Sequence, residues 1–270
     1  MARTILFLTD YGLQDEFVGV CHAVIARLAP DARVIDLAHG IAPGDVLAGA
    51  VALAGAVPYG PGDGVYLAVV DPGVGTGRRA LALHAGSASL VGPDNGVLIP
   101  AARALGDVRE AVSLDPERVA LGPVFATFHG RDLFAPAAAR LARGDALDQL
   151  GERVDPASLV VVEPEEPIVE RGRLVTVVLG VDRFGNVRLS ARPQHLDAAR
   201  LAGPLSVVGE EHAPVRQART FGDLAPGDYG LIEDSGGWLA LVLRGASAAE
   251  GLGLRPYDRV ILAAWGDALG

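Results

Sequence analysis

Through the first half of the chain, short apolar runs alternate with longer stretches in which apolar positions recur every three or four residues, the signature of strands alternating with helices. Thr4–Thr9 and Val65–Val70 are apolar at nearly every position, as strands buried on both faces are, and Ala32–Leu37 reads as a third strand. Glu16–Leu28 and the alanine-rich Asp45–Val57 read as the helices between them. Leu81–His84 and Leu90–Val91 read as further short strands, and Gly96–Leu105 and Leu133–Arg143 as helices. The pattern predicts an α/β domain over residues 1–160, built on a largely parallel sheet flanked by helices.

The rhythm changes after residue 150. The segment VDPASLVVVEPEEPIVERGRL holds Pro156, Pro164 and Pro167 with five acidic residues, and proline interrupts both helices and central strands, so the segment reads as a linker. Beyond it the runs are short and β-rich: Leu174–Val181, Leu205–Val208, Tyr229–Glu233, Trp238–Leu243 and Arg259–Ala263. Turn residues at Gly185-Asn186, Gly227-Asp228 and Gly236-Gly237 separate several of them. A small antiparallel β-barrel over residues 170–270 is the expectation.

Composition narrows the chemistry. Of 270 residues, 50% are hydrophobic and 21% charged, ample for a buried core. All 23 basic residues are arginine, so Schiff-base, P-loop-lysine and Ser-Lys chemistries are closed to this chain. The single Cys21 excludes an intrachain disulfide and any cysteine-based zinc or iron–sulfur site, and suits a reducing cytoplasm. No apolar stretch reaches eighteen residues, and the start of the chain meets Asp10 too early for a signal peptide, so membrane insertion and secretion are not expected. A formal charge of −10 argues against a nucleic-acid partner.

Candidate residues cluster at strand ends, where ligands collect in open α/β sheets. Asp10 follows the first strand, with Asp15 at the start of the next helix; a ribose diol or a metal is one reading, a capped turn the plainer one. In VVDPGVGTGRR, the glycine-rich loop lets Arg78 fold back on Asp71, as a catalytic pair or as a structural ion pair beside a hairpin. The alternating RALALHA that follows rejects a dinucleotide fingerprint. Of His22, His39, His84, His129, His195 and His212, His129 has the most site-like surroundings, next to Gly130; His22 and His84 read as packed or solvated. Asn95 in PDNG reads as a turn residue able to bond backbone or ligand. Asp182, Phe184 and Asn186 surround one glycine turn, and Phe221 adds a second aromatic: either an adenine clamp or hairpin core plus turn.

Taken in order, TDYG at 9–12, GDV at 44–46 after the IAPG loop, VVDPGVGTGRR at 69–79, GPDNG at 92–96, TFHGRDLFAP at 127–136, VDRFGN at 181–186 and EDSGGWL…SAAEGLGL near the end carry a resemblance. The sequence resembles the S-adenosyl-L-methionine (SAM) hydroxide adenosyltransferases, adenosine-forming SAM hydrolases related to the fluorinase and chlorinase, over nearly its whole length. The resemblance implies a homotrimer with active sites between subunits, converting SAM and water to adenosine and L-methionine without metal or cofactor. It casts Asp71, Arg78 and His129 as the set that prepares the attacking water, and Asp10 as the ribose carboxylate with Asp15 a weaker neighbour. Asn95 and Gly130 join the substrate residues; Phe184, Asn186 and Phe221 resemble the adenine wall, Asp182 with the backbone of Ser235 and Gly236 the methionine end, and Gly245 an adenine contact through its backbone.

Three positions depart from the halogenating relatives: Gly44 stands where they carry a ribose-packing Trp, Arg188 where the fluorinase has an aromatic, and Gly236 where an Arg or Phe is usual. SAM halogenation is the nearest rival, disfavoured because Asp71 would repel a halide. A calcium-dependent nucleosidase needs clustered carboxylates that DYGLQDE does not offer. A SAM or adenosine sensor with incidental turnover would share the same pocket.

Overall fold

The computed structural model describes residues 2–208 and 213–265. The chain divides into two compact units, Met1–Glu163 and Pro164–Gly270.

The first unit carries strands β1 (Ile5–Thr9), β2 (Val34–Ala38), β3 (Val65–Val69), β4 (Ala80–Ala85), β5 (Ala88–Pro93), β6 (Val108–Leu114) and β7 (Gly151–Val154). They form one sheet in the order β2-β1-β3-β5-β4-β6-β7. The sheet is mixed: pairing is parallel from β2 through β5 and antiparallel from β5 through β7. Its helices are α1 (Phe17–Leu28), α2 (Val46–Ala56), α3 (Ile99–Ala104), α4 (Pro116–Val119) and α5 (Ala135–Ala142).

The apolar run of β1 is explained by its two faces. Ile5 and Phe7 pack with Val18, Cys21 and Ile25 of α1 and with α5, whereas Leu6 and Leu8 pack with Leu53 of α2 and Ala101 of α3. The two-residue period of a strand therefore divides one hydrophobic segment between two cores. The parallel register Ile5↔Val65 through Thr9↔Val69 brings the carboxyl ends of β1 and β3 side by side, and so places Asp10 and Asp71 at the same sheet edge.

The second unit is the expected β-barrel. Its strands are β8 (Ile168–Glu170), β9 (Arg173–Val181), β10 (Val187–Leu189), β11 (Leu205–Val208), β12 (Ala213–Gln217), β13 (Tyr229–Glu233), β14 (Leu239–Leu243) and β15 (Arg259–Ala264), with helices α6 (Pro193–Ala199) and α7 (Ala248–Leu252). Strands β9 to β15 close on themselves through the β9–β10 pair, and β8 lies against the free half of the same edge of β9. One pair, β12–β13, is parallel within this otherwise antiparallel barrel. Residues 218–228 carry the chain back across the barrel, so the two strands start from the same end. Leu174, Val178, Leu189, Leu241 and Leu262 fill the interior.

Several elements differ from the sequence pattern. β6 and β7 are strands that the first-domain reading omits. Within the proline-rich segment read as a linker, Ile168–Glu170 is a strand; all three of its residues are exposed, and an edge strand tolerates the preceding Pro167. The short helices α6 and α7 lie in a region read as short β-rich runs with few helical signals.

Candidate active site

Asp71 stands two residues beyond the end of β3, and the next six residues form successive tight turns: Val74 N–H donates to Asp71 O (3.2 Å) and Thr76 N–H to Gly73 O (3.1 Å). Gly75 has φ +77° and lies so close to Ala126 that a Cβ would come within 2.6 Å of its carbonyl oxygen. Only glycine fits both demands. The contact also draws the segment leading to His129 against the loop.

These turns return Arg78 onto Asp71. Arg78 Nε donates to Asp71 Oδ1 (2.9 Å) and Oδ2 (3.0 Å), and its Nη2 donates to Oδ2. The same Nη2 lies 2.8 Å from His129 Nδ1. The guanidinium sits 5.2 Å above the Phe134 ring, and the Asp71 and Arg78 side chains are only 5% and 11% exposed. Arginine has no acceptor, so His129 Nδ1 accepts, and the neutral ring carries its proton on Nε2. Burial, reinforced by the Arg78 charge, holds the His129 pKa below the ordinary imidazole value.

Asp71 and His129 line a cavity of about 120 Å³ together with Asp10, Tyr11, Phe17, Val69, Val74, Thr127 and Phe128. Tyr11, Phe17 and Phe128 form an aromatic triangle with edge-on contacts, their ring centres 5.2–5.9 Å apart. Burial pushes the Tyr11 phenol well above its ordinary pKa. Asp10 Oδ2 accepts from Gly44 N–H (2.8 Å), tying the IAPGDV loop to the sheet edge. Asp15 is exposed before α1 and does not line the cavity.

Asn95 is engaged by the backbone: its Nδ2 donates to Val70 O (2.8 Å) and its Oδ1 accepts from Val97 N–H (3.2 Å). It therefore clamps the end of the strand that presents Asp71. Arg131 and Asp132, beside the site, pair with each other at 2.6 Å, and Asp132 Oδ2 accepts from Phe125 N–H.

In the second unit, Asp182 Oδ1 accepts from the backbone N–H of Phe184 (2.8 Å) and Asn186 (2.9 Å), and Oδ2 from Asn186 Nδ2 (2.8 Å). The acid and the amide thus hold their own turn and leave Phe184 78% exposed. Phe221, in a short 3₁₀ turn, is 47% exposed. Ser235 and Gly236 lie in an exposed turn, where Gly236 N–H donates to Asp234 Oδ1. Asp234 also receives Arg188 Nε at 2.5 Å, which accounts for an arginine at that position. Gly245 has φ +93° and open space where a Cβ would stand. His212 lies outside the described residues.

Residues 5–151 match the SAM hydroxide adenosyltransferase N-terminal domain, and residues 176–261 match the C-terminal domain of the same enzymes. The chain belongs to the SAM hydroxide adenosyltransferase family. It is 51% identical over 256 residues to an (R)-S-adenosyl-L-methionine hydrolase of Salinispora tropica, covering 95% of this chain and 96% of the relative. It is 43% identical over 268 residues to the protein of that name from Thermus thermophilus, covering 94% and 96%. A fluorinase of Actinopolyspora mzabensis is more distant, at 26% identity over 287 residues. Among solved structures, a conserved Thermotoga maritima protein superimposes with a TM-score of 0.87 at 34% identity, over 96% of this chain and 99% of that one.

In this member of the family, one cavity residue that sequence reasoning missed is Tyr11. It stands inside TDYG, but nothing local says that its ring turns toward a segment more than a hundred positions away. Its contact explains Gly130: a Cβ there would lie 2.1 Å from the Tyr11 hydroxyl. Gly130→Ala is expected to destabilise the protein by about 1–3 kcal/mol through overpacking. Adding Tyr11→Phe, which removes the nearest atom, should recover part of that loss in urea denaturation. A double variant no more stable than Gly130→Ala would refute the contact as the cause.

Proposed function

We propose that this protein hydrolyses SAM to adenosine and L-methionine by in-line attack of water at C5′. The reading is carried by one observation: Asp71, Arg78 and His129, from two separate loops, are joined by hydrogen bonds at the wall of a cavity in a chain of this family.

The residue types suit the chemistry. The oxygen–C5′ bond forms as the C5′–S bond breaks, its electron pair neutralising the sulfonium to a thioether, so the leaving group needs no acid. Water is a poor nucleophile, and the task of the site is to orient it and take its proton. With Nδ1 engaged by Arg78, His129 meets the water through Nε2–H as a donor, which leaves Asp71 as the acceptor. Arg78 holds both in place, and Asp10 lies on the same sheet edge, suited to the ribose hydroxyls. The Tyr11–Phe17–Phe128 wall gives the cavity an apolar side, where the attraction between a developing hydroxide and the cationic substrate is stronger than in water. No cofactor is needed, because SAM carries its own leaving group.

A cavity of about 120 Å³ is smaller than the roughly 300 Å³ or more that enclosed ligand sites need. This supports a pocket completed by a neighbouring subunit, in the homotrimer that the family resemblance implies, with Phe184, Asn186 and Phe221 as the adenine wall; light scattering would give the subunit number. The lone Cys21 supports a cytoplasmic location, and among the described residues no helix is long and apolar enough to cross a membrane.

The test is turnover of SAM in ¹⁸O-labelled water. Label in the 5′-hydroxyl of adenosine, with equimolar methionine and no 5′-chloroadenosine in chloride buffer, is expected. Unlabelled adenosine would overturn the mechanism, a halogenated product would favour the halogenase, and stoichiometric SAM binding without product would favour the sensor. Because His129 must be neutral for Nδ1 to accept from Arg78, kcat should hold at pH 7. It should fall only as the pH drops below the ordinary imidazole value of about 6.5. An acid limb centred above 7 in the pH–rate profile would contradict this.

A further inference from the structure

On the face of the sheet covered by α1, a second group of ligating side chains has no part in the chemistry above. His22 from α1, Asp36 from β2 and His39 just beyond β2 bring Nε2, a carboxylate oxygen and Nε2 within 4.8 Å of one another. His22 Nε2 lies 2.8 Å from Asp36 Oδ1, and His39 Nε2 lies 3.1 Å from the same atom.

The two histidines differ in how they are satisfied. His22 forms a hydrogen bond to Asp36. His39 is only 3% exposed, and its Nε2, 3.1 Å from Asp36 Oδ1, is satisfied by no hydrogen bond. A buried ring nitrogen left this way costs free energy unless something else occupies it. It lies within 4.8 Å of the other two ligand atoms.

The surroundings are those of a metal site. A cation bound about 2.0–2.1 Å from each ligand sets neighbouring ligand atoms roughly 3.3 Å apart, a spacing that these three atoms reach with small side-chain shifts. His39 Nδ1 lies 2.9 Å from Thr9 Oγ1, the outer hydrogen bond that fixes the orientation of a ligating imidazole. The Phe7 ring backs both histidines, edge-on to His39 with centroids 4.9 Å apart. His22 and Asp36 are partly exposed, which gives a cation a path in and leaves room for water as a fourth ligand.

We propose that His22, Asp36 and His39 form a binding site for a divalent transition-metal ion, zinc by ligand chemistry. Two imidazoles and one carboxylate select a borderline cation over magnesium or calcium, which take oxygen ligands. The site is separate from the residues proposed for SAM. It adjoins their loop, because His39 O accepts from Gly12 N–H (2.7 Å) and Thr9 Oγ1 accepts from Tyr11 N–H (3.1 Å).

The experiment uses the full chain without an affinity tag, stripped with chelator and desalted. Zinc is titrated in competition with a chromophoric chelator, and cobalt(II) is added separately to read its visible d–d bands. One equivalent of zinc per chain is expected, together with cobalt bands of a low-coordinate nitrogen–oxygen site and no competition from magnesium or calcium. His22→Gln, which keeps a hydrogen bond to Asp36, and Asp36→Asn should each weaken zinc by more than tenfold and abolish the cobalt bands. His84→Ala should leave both unchanged. Circular dichroism melts confirm that each variant is folded. Absence of a stoichiometric zinc site in the wild type, or wild-type zinc affinity in His22→Gln and Asp36→Asn, would overturn the proposal.

Discussion

Asp71→Asn is expected to lower kcat for SAM hydrolysis by about 10³-fold, within the range for loss of a general base, with KM changing by less than about threefold. The substitution nearly preserves shape. The wild-type carboxylate accepts from Arg78 Nε on both oxygens and from Nη2 on one of them. Asparagine keeps a single acceptor oxygen and sets an NH₂ group against the guanidinium, so the charge, the second bond and the proton acceptor go together. In the proposed mechanism the adenosyl group is held by other residues, which is why the loss should fall on kcat. A variant retaining more than a tenth of wild-type kcat would remove Asp71 from the role of proton acceptor.

Changes at Arg78 should separate orientation from charge. Arg78→Lys keeps a cation, but an ammonium cannot reach both carboxylate oxygens and His129 Nδ1 with the geometry of a planar fork. A loss of about 10²-fold in kcat is expected, with His129 free to protonate and the acid limb of the pH–rate profile shifted upward. Arg78→Ala goes further, leaving the Asp71 carboxylate, 5% exposed, without its counter-charge. Breaking a buried pair in this way costs about 3–5 kcal/mol of folding stability. Urea denaturation measures it directly. Wild-type stability in Arg78→Ala would mean that Asp71 is solvated or protonated and that the ion pair does not organise the site.

Much of this site was legible in the residues. The apolar runs ending in Asp10 and Asp71 located the sheet edge, and the glycine-rich loop with Arg78 seven positions on implied a carboxylate–guanidinium pair. Residue chemistry alone left that pair open between a structural and a catalytic role, because the third member, His129, is 51 residues further along and carries no local mark of its partner. The family resemblance joined them. Asn95 and Asp182 show the reverse: both have side chains able to meet a ligand, and in the structure each is engaged by its own turn or strand end. β6 and β7 escaped the pattern because β7 is an edge strand and β6 lies next to it, each only partly buried, so VREAVSL and GERV carry charges where a strand at the middle of the sheet would be apolar. The His22–Asp36–His39 group was illegible for a geometric reason, since it depends on how α1 lies across β2.

Helical structure around His129 has a further implication. Gly130–Phe134 is a turn of π-helix running directly into α5, so the segment holds one residue more than an α-helix needs. Removing one residue would restore a regular helix and swing whatever precedes it by about 100° around the axis, carrying the imidazole away from Arg78. The position of this histidine is therefore a matter of chain length as well as of residue type. A lineage in which that turn is one residue shorter cannot regain the arrangement by point substitution; it has to lengthen the turn first.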